Sequence, residues 1–345
     1  MKPENILKIR ENCIHELIEI LSPLNVSGHI LFVSDETIHG LYGQMVISQL
    51  EKLPSAEITI ELVSENTLSY AMKLAEEVIA MDIDHIVGLG GGKVLDVAKY
   101  AAYITKRPFI SIPTSVSNDG IASPVAALMR NDNKPMSLNC AIPTVIIIDV
   151  LLIMSSPRKL INAGIGDTIS NYLALIDWEY AVKHGHSTMD GFAYILSQSA
   201  LDALLKTKYD TICPEFIRVL ANAHVLSGIA MNFAGSSRPV SGSEHLFSRA
   251  LDYHSEVDNI HGIQVALGTI AILKLIGEEY VEVLDYLRRF EVDINPARLG
   301  ISRETFVKCM QAAPGMRKNR FTCLHTADLS GARLLALYDE LVAEL

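Results

Sequence analysis

Asp167, His245 and His261 each stand as a polar residue in an otherwise apolar stretch: AGIGDTISNYLA, SGSEHLFSRALD and NIHGIQVALG. One carboxylate and two imidazoles make a donor set that suits a borderline divalent ion such as Zn2+. Three protein ligands leave one coordination position open, which a catalytic metal requires. The two histidines lie sixteen residues apart, so two helices, or a helix and a turn, must bring them together. The competing reading is a pair of buried histidines that satisfy backbone carbonyls. Spacing alone does not separate the two readings.

The elements that must position these residues fall into two patterns. Over the first 150 residues, short β-branched runs alternate with helical stretches. The runs are HILFV (29–33), ITIELV (58–63), DHIVGLG (84–90), FISIP (109–113) and TVIIID (144–149), each ended by Gly, Pro or Asp. Continuous apolar runs of this kind suit strands buried on both faces of a parallel sheet. Helical spacing covers 37–51, 66–80 and 93–104, with Asn66 as a candidate N-cap. The series reads as a doubly wound, Rossmann-like α/β layer. VAALM and the following NDNKP turn read as a hairpin within 125–139. Beyond Asp149 the segments 157–185, 190–206, 213–234, 242–252, 260–290 and 328–345 all show helical periodicity without clear strands. Pro157 suits the first turn of the first of these helices. The expectation is therefore a Rossmann-like nucleotide domain over 1–150 and an all-helical metal and substrate domain over 151–345. The absence of a Gly/Ser-rich linker implies that the two halves pack around a cleft.

Composition narrows the function classes. Nearly half of the 345 residues are apolar and a fifth are charged, as in a globular chain with a sizeable core. A formal net charge of −11 argues against nucleic acid or an anionic membrane as partner, although a local basic pocket can still serve a small anion. Cysteines 13, 140, 213, 309 and 323 are scattered, odd in number and form no CxxC, as expected of reduced thiols in a cytoplasm. MKPENILKIRENC is too polar for a signal peptide. The apolar run TVIIIDVLLIM is too short to span a bilayer and carries Asp149.

Two loops offer a cofactor site. Gly88-Leu-Gly-Gly-Gly-Lys-Val-Leu-Asp96 follows a strand and opens a helix. Glycines let a backbone pass close to a pyrophosphate, and a helix N-terminus presents free N–H groups. The alternative is a tight turn needing positive φ, and the spacing is not GxGxxG. Asp35 ends the first run in FVSDETIHG. It either accepts hydrogen bonds from an adenosine ribose, favouring NAD over NADP, or caps the 37–51 helix. The polar loop Pro113–Pro124 places hydroxyls and amides at the C-terminal edge of the sheet, where ligands bind in such layers.

GGGKVLDVAKY, IPTSVSNDGIASP, GIGDTISNYLALIDW, SRPVSGSEHLFSRALD, HGIQVALGT and RKNRFTCL, in this order, resemble the sn-glycerol-1-phosphate dehydrogenase family. That family lies within the iron-containing alcohol dehydrogenase, glycerol dehydrogenase and dehydroquinate synthase-like superfamily. The likeness runs from about residue 28 to 325. It implies a Rossmann-like domain followed by a helical domain, homodimers or larger homo-oligomers, and interconversion of dihydroxyacetone phosphate and sn-glycerol 1-phosphate with NAD or NADP. Carried over by motif, Asp167, His245 and His261 hold Zn2+, with Fe2+ or Ni2+ as alternatives. Gly91, Gly92, Lys93, Val94, Leu95, Asp96, Thr114, Ser115, Val116, Ser117 and Ser123 contact the nucleotide. Asp119 and Asp167 contact the substrate.

The resemblance has one departure. The family pattern EHxxSH places a histidine four residues after the first metal histidine, and here that position is Arg249. On a helix over 242–252, Arg249 lies one turn beyond His245 on the same face. A guanidinium there can grip a phosphate, as can the Arg317-Lys318-Asn319-Arg320 run. The replacement is also compatible with an unphosphorylated polyol, which would make the chain a glycerol dehydrogenase, with an amino-alcohol substrate, or with a surface arginine that has no role. A dehydroquinate synthase-like carbocycle synthase is a third reading, against which stands Asp167 where that enzyme has Glu.

Overall fold

The β-branched runs form strands, the inner ones almost wholly buried. In the computed structural model, which describes residues 6–132 and 134–345, six strands make one parallel sheet: β1 (Ile6–Arg10), β2 (His29–Ser34), β3 (Glu57–Leu62), β4 (His85–Gly90), β5 (Phe109–Pro113) and, after an inserted hairpin, β8 (Val145–Asp149). Their order is β1-β8-β5-β4-β2-β3, and every neighbouring pair is parallel. The inner strands are buried almost throughout, which is why they read as unbroken apolar runs. The edge strands β1 and β3 instead mix exposed and half-buried residues. β1 went unread in the sequence because ILKIR is half polar. The connection after β2 leads outward to β3, and the next returns past β2 to β4. A doubly wound sheet opens a ligand crevice at such a reversal.

The hairpin is β6 (Val125–Met129) and β7 (Pro135–Asn139), antiparallel as expected; Asn133 of its turn lies outside the described residues. The helices among these strands are α1 (Leu17–Leu21), α2 (Glu36–Ile38), α3 (Gln44–Leu50), α4 (Leu68–Ala80), α5 (Gly92–Thr105) and α6 (Val150–Met154), with a π-helical turn over His39–Gly43 between α2 and α3. Asn66 is not the cap of α4. Thr67 is, its hydroxyl accepting from Tyr70 N at 3.1 Å, while Asn66 Nδ2 donates to Ala127 O. The first helix after β8 is α6, capped by Asp149 through Leu151 N and Leu152 N. Pro157 therefore sits not in the first helix but directly ahead of the second, α7 (Arg158–Ile169).

The remaining helices are α8 (Asn171–Lys183), α9 (Gly191–Leu205), α10 (Pro214–Ala234), α11 (Ser243–His254), α12 (His261–Ile276), α13 (Val281–Arg289), α14 (Arg303–Ala312) and α15 (Gly331–Glu344). The expected stretch 157–185 is two helices. They are broken at Ser170, whose hydroxyl donates back to Asp167 O at 2.7 Å, a contact that bends helices. The stretch 260–290 is likewise two, separated at Gly277 with φ +75°, a left-handed C-cap. Among the described residues, α10 is the one helix long and apolar enough to cross a membrane, and it is mostly buried.

By contacts the chain divides into two units. The first holds the residues up to Val116, Gly120–Pro157 and Cys213–Gly228; the second holds Ser117–Asp119, Arg158–Ile212 and Ile229–Leu345. The first contains the sheet. In the second, the described residues form helices and no strand.

Candidate functional site

In the helical unit, glycine lets two helices touch backbone to backbone. A Cβ on Gly166 of α7 would lie 2.3 Å from Gly262 O, and one on Gly262 of α12 would lie 1.9 Å from Ala163 O. Each glycine neighbours a candidate ligand, so this approach sets Asp167 Oδ1 3.7 Å from His261 Nε2. α11 packs on α12 with Gly268 against Glu244, which brings the His245 ring to 4.9 Å from the His261 ring between centroids. Ligand atoms of Asp167, His245 and His261 all lie within 4.8 Å of one another.

The chemistry of this set fits a divalent cation. Burial, with nearby arginines for His245 and with His245 and Arg249 for His261, holds both imidazoles down at about 3, so both are neutral donors. His245 Nδ1 lies 2.7 Å from Glu244 Oε1, and His261 Nδ1 lies 3.1 Å from Ser248 Oγ. These bonds occupy Nδ1 and leave Nε2 for a metal. Burial pushes the Asp167 carboxyl well up, and Asp119 and Glu244 add repulsion, while Asp119 N donates to Asp167 Oδ2 at 3.0 Å. Glu244 is also raised, to about 7, by burial, and its Oε2 is buried without a hydrogen-bond partner. Asp167 faces two neutral imidazoles and carboxylates that repel it, and a divalent cation bound to it would offset that repulsion.

The basic side of this site holds more than the Arg317–Arg320 run. Arg317 and Arg320 turn inward while Lys318 and Asn319 are exposed. Arg317 Nη1 and Arg320 Nη2 both donate to Ser237 Oγ, at 3.1 and 2.8 Å, and Arg320 Nη1 donates to Ser241 O at 2.7 Å. Arg238, which the sequence did not single out, is buried and donates to Phe321 O. Burial lowers Arg317, and repulsion from Arg249 and Arg238 lowers it further; Arg320 goes down to about 9, through burial and then Arg317 and Arg238. A guanidinium stays charged at neutral pH. The shifts of Arg317 and Arg320 therefore reflect first their burial and then repulsion among the arginines, both of which a bound anion would offset. Asp177 holds this wall to α11: its Oδ1 accepts from Cys323 N at 2.7 Å and its Oδ2 from Ser243 N at 2.6 Å.

In the sheet unit, a cavity of about 530 Å3 opens beyond the ends of β2, β3 and β4, at the reversal of strand order. Asp35, Glu36, Thr37, Glu65, Lys93 and Val94 are among its lining residues. Asp35 is also the N-cap of α2, accepting from Ile38 N at 2.9 Å, so the cap and the cavity wall are the same residue. Neither Gly90 nor Gly91 has positive φ, so a turn's need for it does not explain the glycines. A Cβ on Gly90 would collide with Val94 at 2.7 Å, whereas one on Gly91 would meet nothing closer than Ser115 Oγ at 3.7 Å. Gly91 and Gly92 are half-buried at the start of α5, where free N–H groups can receive phosphate oxygens.

Other expected nucleotide contacts face the protein. Leu95 and Val116 are core residues. Both Asp96 oxygens are engaged within the fold, Oδ1 by Lys99 Nζ at 3.1 Å and Oδ2 by Ala127 N at 3.1 Å, which ties the hairpin to α5. Ser123 Oγ donates to Val125 O. Thr114 and Ser115 are buried just beyond β5, and Ser117 is half-buried.

A family profile described as iron-containing alcohol dehydrogenase matches residues 8–157. The glycerol-1-phosphate dehydrogenase, NAD(P)+, of Methanosarcina mazei is 33% identical over 325 residues, 93% of this chain and 90% of that protein. Its namesake from Sulfolobus acidocaldarius is 37% identical over 308 residues, 88% and 86%. The crystal structure of glycerol dehydrogenase from Schizosaccharomyces pombe shares the fold, with a TM-score of 0.81 over 99% of this chain and 89% of that one at 18% identity.

Proposed function

The chain belongs to the glycerol-1-phosphate dehydrogenase family of the iron-containing alcohol dehydrogenases, and we propose that it interconverts dihydroxyacetone phosphate and sn-glycerol 1-phosphate with NAD(H). Asp167, His245 and His261 would hold the metal, for which Zn2+ suits two neutral imidazoles and a carboxylate. A divalent ion there supplies Lewis acidity toward a ketone oxygen. NADH would supply the hydride, and one proton from water would complete the alcohol.

The observation that carries this reading is the group of arginines beside the cluster. Arg238, Arg249, Arg317 and Arg320 act on one another or on His245 electrostatically. A phosphate bound to them would orient the ketone, and charge-assisted bonds of this kind contribute about 1.5–3 kcal/mol each. Asp119 N, by holding Asp167 Oδ2, fixes the carboxylate in the orientation that leaves Oδ1 toward His261. The sheet-unit cavity, at the reversal of strand order and beside the start of α5, supports binding of the dinucleotide there. The carboxylates Asp35, Glu36 and Glu65 there outnumber Lys93, so a 2′-phosphate would meet net repulsion and NAD would be preferred to NADP.

The test compares dihydroxyacetone phosphate with dihydroxyacetone as substrates of the zinc-replete enzyme and NADH. The phosphorylated ketone should have the higher kcat/KM. Arg317→Leu should lower that value by about 10–100-fold and leave dihydroxyacetone unaffected. A preference for dihydroxyacetone would instead assign a glycerol dehydrogenase. Retention of zinc by His245→Ala and His261→Ala would remove the metal assignment.

A further inference from the structure

Behind His261 the hydrogen bonds run further than one partner. His261 Nδ1 is 3.1 Å from Ser248 Oγ, Ser248 Oγ is 2.6 Å from Gln264 Oε1, and Gln264 Nε2 is 3.2 Å from Asp252 Oδ1. Ser248 and Gln264 are buried, whereas Asp252 is exposed. The far end of this chain decides its direction. An ionised carboxylate only accepts, so Gln264 must turn its NH2 group to Asp252 and its carbonyl oxygen to Ser248. That oxygen also only accepts, so the one hydroxyl proton of Ser248 goes to it. Ser248 then offers His261 a lone pair, and His261 must carry its proton on Nδ1. The free lone pair falls on Nε2, the atom that faces Asp167.

We propose that Asp252, Gln264 and Ser248 are positioning residues that set the tautomer of His261 and thereby present Nε2 to a divalent cation. Without Asp252, Gln264 can turn its amide over, and Ser248 can reverse and donate to Nδ1. The imidazole proton then moves to Nε2, where it blocks a ligand bond. A carboxylate that touches no metal ligand directly thus governs one of them through two buried side chains. The inference rests on the metal reading of the cluster, but the tautomer belongs to the metal-free chain and can be observed there.

The experiment uses the full chain, labelled with nitrogen-15 in histidine and stripped of metal, in a two-bond proton–nitrogen correlation that separates the imidazole tautomers. Wild-type His261 should be protonated on Nδ1. Asp252→Ala, an exposed change that leaves the core intact, should shift His261 toward the Nε2-protonated form. Ser248→Ala should do the same, and Ser248→Thr, which keeps the hydroxyl, should restore the wild-type signal. Competition with a chelator should show Zn2+ bound about tenfold more weakly by Asp252→Ala and Ser248→Ala. An Asp252→Ala spectrum with His261 still on Nδ1 overturns the proposal, whatever the zinc affinity. A wild-type chain with His261 on Nδ1 that binds no zinc would uphold the tautomer lock and remove the metal reading alone.

Discussion

Asp35 carries two tasks that one substitution separates. Its Oδ1 caps α2 through Ile38 N, and its charge lies in the wall of the sheet-unit cavity. Serine caps a helix about as well as aspartate but carries no charge. Asp35→Ser should therefore leave the melting temperature within about 2 °C, since the cap survives. It should raise kcat/KM for NADPH relative to NADH by about tenfold, one charge repulsion being worth roughly 1.4 kcal/mol. An unchanged cofactor ratio would place the ribose elsewhere and leave Asp35 a cap only. At this scale the sequence is legible where a residue type is conspicuous against its surroundings. Asp167 and His261 are polar residues in apolar surroundings, His245 stands out by its type alone, and the structure brings the three together. Glu244 touches His245 and Arg238 acts on Arg317 and Arg320, yet nothing local in SSRPV or SGSEH tells which way a long side chain turns; tertiary packing decides that. Asp96 shows the converse, a motif position whose carboxylate the fold itself engages through Lys99 and Ala127.

The metal cluster depends on how closely α7 and α12 approach, which makes it testable without touching a ligand. Gly262→Ala puts a methyl 1.9 Å from Ala163 O, so the helices must part. Overpacking of this kind costs about 1–3 kcal/mol. A shift of even about 1 Å would move His261 away from Asp167, and zinc affinity should fall at least about tenfold. Gly331→Ala, whose added Cβ meets nothing within 4 Å at the start of α15, is the control and should change neither quantity. Zinc retained at wild-type affinity by Gly262→Ala would show that the ligands do not depend on this contact. Elements were legible to different degrees for related reasons. Inner strands announce themselves by unbroken apolar runs, but β1, at an edge, has exposed positions that break the run. The α14 segment RETFVKCMQA looks polar, and only Phe306, Cys309 and Met310 at helical spacing, behind the Ser302 cap, mark it. The breaks at Ser170 and Gly277 were hidden because amphipathic spacing persists across them.

On the scale of the whole chain, the least legible feature is the return of Cys213–Gly228 to the sheet unit. The periodicity of α10 is the same whichever unit receives it. The consequence is carried by His224, fully buried on this segment, whose Nε2 is 3.1 Å from Val116 O. Burial lowers its pKa from 6.5 to about 4. Below pH 6.5 the unfolded chain takes a proton that the native imidazole refuses until about pH 4. Stability from this group is thus complete above 6.5 and lost as pH falls toward 4, by about 3 kcal/mol in all. Asp177 works in the opposite sense: its pKa is raised from 3.8 to about 6, so folding gains from it as pH falls through that range. The two slopes overlap, and the wild-type curve alone would show neither. The difference between wild type and His224→Gln isolates the histidine. Glutamine can still donate to Val116 O, but it does not titrate. At pH 7 the variant should be less stable by about 1 kcal/mol, a packing cost. By pH 4.5 it should be the more stable of the two. Urea unfolding followed by circular dichroism at pH 7, 6, 5 and 4.5 gives the difference directly. A difference that stays constant across these values would mean that His224 titrates alike in both states and that its burial has no part in the acid sensitivity of the chain.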